Sequence, residues 1–206
     1  MNKKNHWENI YQTKAQNEVS WYQTVPEESL TLIRKSGIHK NSSIIDIGGG
    51  DTFLADHLLE LGFQNISLLD LSGTALSNTK KRLNEHSEFL TFIEADVLEF
   101  NPAAPYQLWH DRAAFHFIND ETDVQRYVKI AARSVVYGGS LIIGTFSENG
   151  PTKCSGIEIH QYSKDSLANT FSTYFERKEC FNSSHHTPSG TIQDFTFCRF
   201  VRNSTA

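Results

Sequence analysis

Short apolar runs alternate along the chain with stretches whose apolar residues recur at helical spacing, and glycines mark several of the junctions. Residues 43–47, Ser-Ile-Ile-Asp-Ile, are too few for a helix and stop at three glycines, which predicts a buried strand. In residues 52–62, Phe53, Leu54, Leu58, Leu59 and Leu61 share one helical face, and Gly62 ends it. A second strand is predicted over 65–72 with Asp70 at its end, and Ser72 is placed to cap a helix whose apolar face holds Ala75, Leu76, Thr79 and Leu83. Residues 89–96 and 106–111 read as the third and fourth strands. Residues 120–136 are amphipathic, with Val124, Tyr127, Val128, Ala131 and Val135 on one stripe; Gly138-Gly139 ends that helix, and 140–146 is the fifth strand. Such alternation, with nearly continuous apolar strands, predicts a parallel sheet covered on both faces.

The last third of the chain follows a different rhythm. A short helix is expected from Ser163. Residues 174–182 and 191–201 then alternate around the turn formers Pro188, Ser189 and Gly190, as an antiparallel hairpin on the sheet edge would. Phe195, Phe197 and Val201 read as one core face, interrupted by Arg199. Before residue 41 a helix is expected around Glu27–Arg34, preceded by an aromatic-rich lead-in.

The length of 206 residues suits one domain: an N-terminal helical and aromatic cap over 1–40 and a core over 41–201. The formal charge of −5 lacks the basic surplus that nucleic acid phosphates select, so nucleic acid is not an expected partner. No segment approaches the ~20 apolar residues of a membrane span. Cys154, Cys180 and Cys198 form no CxxC motif, and an odd count without an apolar leader suits a reducing compartment, so a soluble cytoplasmic protein is expected. The oligomeric state is not legible.

Chemistry concentrates at the predicted strand ends, where ligands bind in a doubly wound sheet. Asp46 precedes Gly48, Gly49 and Gly50, whose bare backbone lets a ligand touch the main chain. Asp70 lies 22 residues after Gly48, a distance suited to gripping a ribose diol, and Asp96 closes the third strand beside an adenine pocket. The dinucleotide fingerprint would need glycine at 53, where the chain has Phe53, and Asp46 would repel a pyrophosphate. An adenosine ligand with a cationic amino-acid end fits better.

On these residues the chain resembles a class I S-adenosylmethionine-dependent methyltransferase. Asp46-Ile47-Gly48-Gly49-Gly50 matches that family's first motif, Asp70 its second acid, and Ala95-Asp96 the end of its third strand; Thr52 stands where a late glycine is usual. The resemblance covers roughly 40–201. It implies a Rossmann-like α/β fold, a doubly wound sheet of seven strands, mostly parallel with an antiparallel C-terminal hairpin strand. It also implies S-adenosylmethionine as cofactor and S-adenosylhomocysteine as product. The chain is also similar to a small bacterial group with "HW" and "SWY" near the N-terminus, a "WHDRAxFHF" stretch and "HHTP", and "DRAA" is similar to thiopurine methyltransferases.

The resemblance assigns the cofactor to Asp46, the glycines, Asp70, Leu71, Asp96, Val97 and His110. Trp7, Tyr11, Trp21 and Tyr22 are candidates for an aromatic lid over it, or for a staple of the N-terminal segment to the core. His110, Asp111, Arg112 and His185 are the catalytic candidates. His110 would contact the cofactor or serve as base; Asp111 would hold an acceptor amine or orient His110. Arg112 would pair with an acceptor carboxylate. His185, expected in the hairpin loop beside His186, would touch the acceptor or act as general base. His116 is balanced between function and packing, and Cys154 reads as a packed thiol. No metal site is expected. The acceptor is a small molecule or a protein. A nicotinamide-dependent oxidoreductase and a non-catalytic S-adenosylmethionine-binding protein are the alternatives.

Overall fold

The computed structural model describes residues 3–204. Helix α1 (Lys3–Thr13) and α2 (Glu27–Ser36) precede the first strand. Strands β1 (Ile44–Ile47), β2 (Ile66–Asp70), β3 (Leu90–Glu94) and β4 (Tyr106–Arg112) follow, with α3 (Leu54–Glu60) and α4 (Gly73–Leu83) between the first three. Helix α5 (Glu121–Ser134) leads directly into β5 (Val135–Phe146). A two-stranded ribbon, β6 (Lys153–Cys154) and β7 (Ile157–Glu158), and α6 (Lys164–Phe171) precede the long hairpin β8 (Phe175–His186) and β9 (Ile192–Arg202).

The main sheet has seven strands in the order β3-β2-β1-β4-β5-β9-β8. The first five are parallel; β9 runs antiparallel to β5, and β8 antiparallel to β9. This is the doubly wound, Rossmann-like sheet expected, with the chain order reversing between β1 and β4. Successive strand residues feed opposite faces. Ile45 and Ile47 pack with Tyr127, Leu167 and Phe171 under α5 and α6, while Ile44 and Leu68 pack with Ile33, Leu54 and Leu76 under α2, α3 and α4.

Three expectations are corrected. The α5 stripe was expected to run through Val135 to Gly138-Gly139. Instead the helix ends at Ser134, and Val135 already pairs with Tyr106 across the sheet. Adjacent β-branched valines at 135–136 favour strand over helix once a partner strand is present. The hairpin strands are longer than predicted, so His185 and His186 lie within β8, not in the loop, and the turn narrows to residues 187–191. Finally, Cys180 and Cys198, opposed on β8 and β9, are joined by a disulfide, leaving Cys154 as the buried free thiol. Cross-linking residues 18 apart is worth about 3 kcal/mol by loop-closure entropy. Dithiothreitol, or Cys198→Ser, is therefore expected to lower the urea midpoint, with both treatments together no worse than either; an unchanged midpoint would mean the sulfurs are not joined in solution. No helix among the described residues is long and apolar enough to cross a membrane.

Candidate active site

The carboxyl ends of β1, β2 and β4, with the loop after β3, open onto one cavity of about 150 Å³, roofed by α1 and residues 16–26. Asp46, Asp70 and Asp96 all line it. Gly48, in the left-handed region at φ 68°, also lines it, and its N–H donates to Leu69 O at 2.7 Å, fastening the turn to β2. A side chain there would be strained. Gly49 and Gly50 serve otherwise than expected. They do not line the cavity; a Cβ on Gly49 would fall on the Asp46 carboxylate, and one on Gly50 would stand 2.6 Å from both Asp70 Oδ2 and Ala75 Cβ. Their bareness makes room for the acids.

Asp70 is buried. Gly50 N–H donates to its Oδ2 at 3.1 Å and Ser72 N–H to its Oδ1 at 2.8 Å. Burial nevertheless pushes its carboxyl up to about 6, against those two bonds, with the charges of Asp46 and Glu8 adding to the rise. Each oxygen keeps a lone pair for a further donor. Asp96 Oδ1 accepts from Leu98 N–H at 2.9 Å. Leu71 and Val97, the residues after these two acids, complete the apolar wall.

On β4 the alternation of side chains sorts the catalytic candidates. His110 and Arg112 line the cavity; Asp111 does not. Both ring nitrogens of His110 are engaged, Nδ1 with Asp46 Oδ1 at 2.6 Å and Nε2 with Ser29 Oγ at 2.8 Å. With Nδ1–H donating to the carboxylate, Nε2 accepts from the serine hydroxyl, so no nitrogen is free to take a substrate proton. Asp111 is wholly buried on the opposite face, accepting from Tyr127 Oη–H at 2.6 Å and from Ala114 and Phe115 N–H, each at 3.0 Å. It shapes the loop after β4 and does not line the cavity, where its expected roles would have placed it. His185 is also moved: its Nε2–H donates to Ser20 O at 2.8 Å, it does not line the cavity, and burial holds its pKa below the ordinary histidine value. His116 is buried against Phe146, and burial takes its pKa down to about 3.

The roof is tied down by polar contacts that composition did not flag. Glu8 Oε1 accepts from Gly73 N–H at 2.7 Å at the start of α4, where a carboxylate is favoured. Gln16 Nε2–H donates to Asp51 O and Oδ1, and Arg82 pairs with both Asp51 and Asp56. Trp7 packs edge-on against Trp21 and Phe117, and Tyr11 against Trp21, forming one aromatic panel over the cavity. Tyr11 is driven well above the ordinary phenol range by burial, then by Asp70 and Asp51, so its hydroxyl stays protonated. Lid and staple are thus the same contacts. Ser29 and Glu8 escaped the sequence reading because each acts across the fold, on His110 and on α4.

No cluster of three His, Cys, Asp or Glu side chains suited to a metal occurs among the described residues. The donor set, acids at three neighbouring strand ends with an apolar roof, fits a nucleoside bearing a positive charge.

Residues 45–143 match the model of a family described as a methyltransferase domain. The eEF1A lysine and N-terminal methyltransferase of Mus musculus is 27% identical over 58% of this chain, and malonyl-[acyl-carrier protein] O-methyltransferase 1 of Ilyobacter polytropus 31% over 53%. The chain spans only 17% and 40% of those two proteins. The human EEF1A lysine methyltransferase 2 is 27% identical over 84% of this chain and 74% of its own length. Among solved structures, one concerned with conversion of a disulfide bond into a thioacetal group during echinomycin biosynthesis superposes with a TM-score of 0.78 at 18% identity, covering 98% of this chain and 94% of that one. The N-methyltransferase NodS from Bradyrhizobium japonicum, in complex with S-adenosylhomocysteine, does so at 0.69 and 15%, covering 96% and 98%. At those identities the likeness is one of fold.

Proposed function

We propose that this chain transfers the methyl group of S-adenosylmethionine to a nucleophilic acceptor, releasing S-adenosylhomocysteine. The observation that carries the reading is the convergence of Asp46, Asp70 and Asp96 on one roofed cavity at adjacent strand ends. Support comes also from the family match over 45–143, which spans all three acids. The donor brings an electrophilic methyl carbon already activated by a sulfonium, so the protein's part is alignment and exclusion of water. Asp46, braced by His110, would face the cationic amino-acid end beside Gly48. Asp70 would accept from the ribose hydroxyls, and Asp96, with Leu71 and Val97, would line the adenine end. Trp7, Tyr11 and Trp21, in the cap formed by residues 1–40, would close over the core.

His110, with both ring nitrogens engaged, acts as a positioning residue for Asp46. The reaction therefore favours an acceptor that is nucleophilic without help from a base. The roof over the cavity favours a small molecule over a protein side chain.

Isothermal calorimetry with S-adenosylhomocysteine is expected to show one-to-one binding, and NADH none. NADH binding with no response to S-adenosylhomocysteine would sink the proposal in favour of hydride transfer. Labelled methyl transfer into metabolite fractions separates an enzyme from a silent binder.

A further inference from the structure

The cavity has two chemically unlike halves. Toward β3 it is lined by acids; toward β5 and β9 it is aromatic and holds one guanidinium, that of Arg112. Arg112 ends β4, its Nη1–H donates to Trp21 O at 3.0 Å, and its Cζ lies 5.0 Å from the Phe195 ring centre. Its Nε and Nη2 are buried and have no hydrogen-bond partner. These two atoms share one edge of the guanidinium, the edge that grips a carboxylate with two parallel bonds. Leaving both bare is a desolvation penalty that a ligand carrying paired acceptors would remove.

The charge of Arg112 is also unmatched: it forms no ion pair among the described residues. The groups whose fields reach it are Glu28, the Cys154 thiol and Asp46; both carboxylates are committed elsewhere, Glu28 to Ser183 Oγ at 2.6 Å and Asp46 to His110. His116 and His185, which feel its field, are both held toward the neutral form, by burial first and by Arg112 second. Burial pulls the guanidinium down to about 10, so it remains charged at neutral pH. A buried cation without a partner is expensive, and a single negative charge cancels it.

We propose that Arg112 is the anion-binding subsite for the methyl acceptor, and that the acceptor is a small molecule with a carboxylate on an apolar body. The inference rests on the methyl-transfer reading and adds the acceptor's chemical class. A monoanion matches one guanidinium edge, whereas a phosphate dianion would bury a surplus charge. Phe146, Phe195 and the Cys154 thiol supply the apolar wall. A lysine ammonium would meet a like charge there, which sets this chain apart from a lysine methyltransferase.

The test titrates protein saturated with S-adenosylhomocysteine with benzoate and phenylacetate, with the matched amides, and with benzylamine, reading melting temperature and saturation-transfer NMR. The carboxylates are expected to bind, and the amides and the amine not. Arg112→Gln should abolish the carboxylate response and leave affinity for S-adenosylhomocysteine within about threefold. Arg112→Lys, which keeps the charge and loses the fork, should retain a weakened response. Equal binding of amides or amine, carboxylate binding that survives Arg112→Gln, or no response to any carboxylate would overturn the proposal. A fall of about tenfold or more in S-adenosylhomocysteine affinity in Arg112→Gln would overturn it too, by giving Arg112 to the donor's own carboxylate. The carboxylate series is repeated without S-adenosylhomocysteine, so that a failure of the donor reading registers separately.

Discussion

Asp70→Ala is expected to weaken S-adenosylhomocysteine binding by roughly tenfold or more, since hydrogen bonds to an ionised carboxylate are worth about 1.5–3 kcal/mol each. The same substitution strips Gly50 N–H and Ser72 N–H of their acceptor, so a drop in stability accompanies it. Asp70→Asn reduces the second effect, because it keeps the shape and an acceptor for one of the two N–H groups but not the charge. The pH dependence gives a sharper signature. Burial raises the Asp70 carboxyl from the ordinary 3.8 to about 6 in the ligand-free fold. A group whose folded pKa lies above its unfolded value contributes stability in full below the unfolded value, and that contribution is lost as pH rises through the folded one. Between about pH 4 and pH 6 Asp70 therefore makes the empty protein less stable as pH rises. Ribose hydroxyls donate more strongly to the ionised form than to a neutral carboxyl, so binding there draws a proton off and affinity moves the other way. S-adenosylhomocysteine should bind more weakly as pH falls through about 6, with a slope approaching tenfold per pH unit. In Asp70→Asn the component between pH 4 and 6 should flatten. Calorimetry across that range decides it, and a wild-type affinity independent of pH would remove Asp70 from the ribose.

What was legible in the sequence was what strand period and strand ends dictate. The acids at 46, 70 and 96 could be placed together because parallel strands all deliver their carboxyl ends to one edge. The roles of their neighbours were less legible, because a motif quoted as a string hides which side of the sheet each residue faces. In Trp109-His110-Asp111-Arg112 alternation alone separates His110 and Arg112 from Trp109 and Asp111. The apolar partners of Trp109 then mark its side as core. The disulfide had a signal as well: Cys180 and Cys198 each lie nine residues from Ser189, the centre of the predicted turn, so a regular hairpin opposes them. Hairpin length was underestimated because polar Ser183, Ser184, His185 and His186 look like loop, whereas their main chain is held by β9 across the ladder. Contacts such as His110 with Ser29, or His185 with Ser20, link residues 81 and 165 apart, and no local pattern encodes them.

Asp111 is the residue whose loss should damage the protein most. Asp111 gathers three donors inside the core, and Tyr127, one of them, itself accepts from Trp109 Nε1–H at 3.0 Å. The two backbone bonds hold the loop in which Ala113 takes φ 69°, a conformation disfavoured for a residue with a Cβ. Ala113 N–H in turn donates to Gly144 O, and Ala113 and Ala114 line the cavity beside Arg112. Asp111→Ala leaves the buried Tyr127 hydroxyl, the buried Phe115 amide and the half-buried Ala114 amide without acceptors, each costing about 1–3 kcal/mol, so a loss of about 4 kcal/mol or more is expected. That approaches the whole stability of an ordinary domain, so the variant is expected to express as a partly folded protein. Asp111→Asn keeps one oxygen for the two amides and turns an N–H toward Tyr127 Oη, which already accepts from Trp109; a loss of about 1–2 kcal/mol is expected there. Urea unfolding of the asparagine variant, with S-adenosylhomocysteine affinity measured on the folded fraction, distinguishes support from chemistry. A stability loss with near-native affinity is the expected result. Native stability combined with abolished methyl transfer would return Asp111 to the reacting atoms.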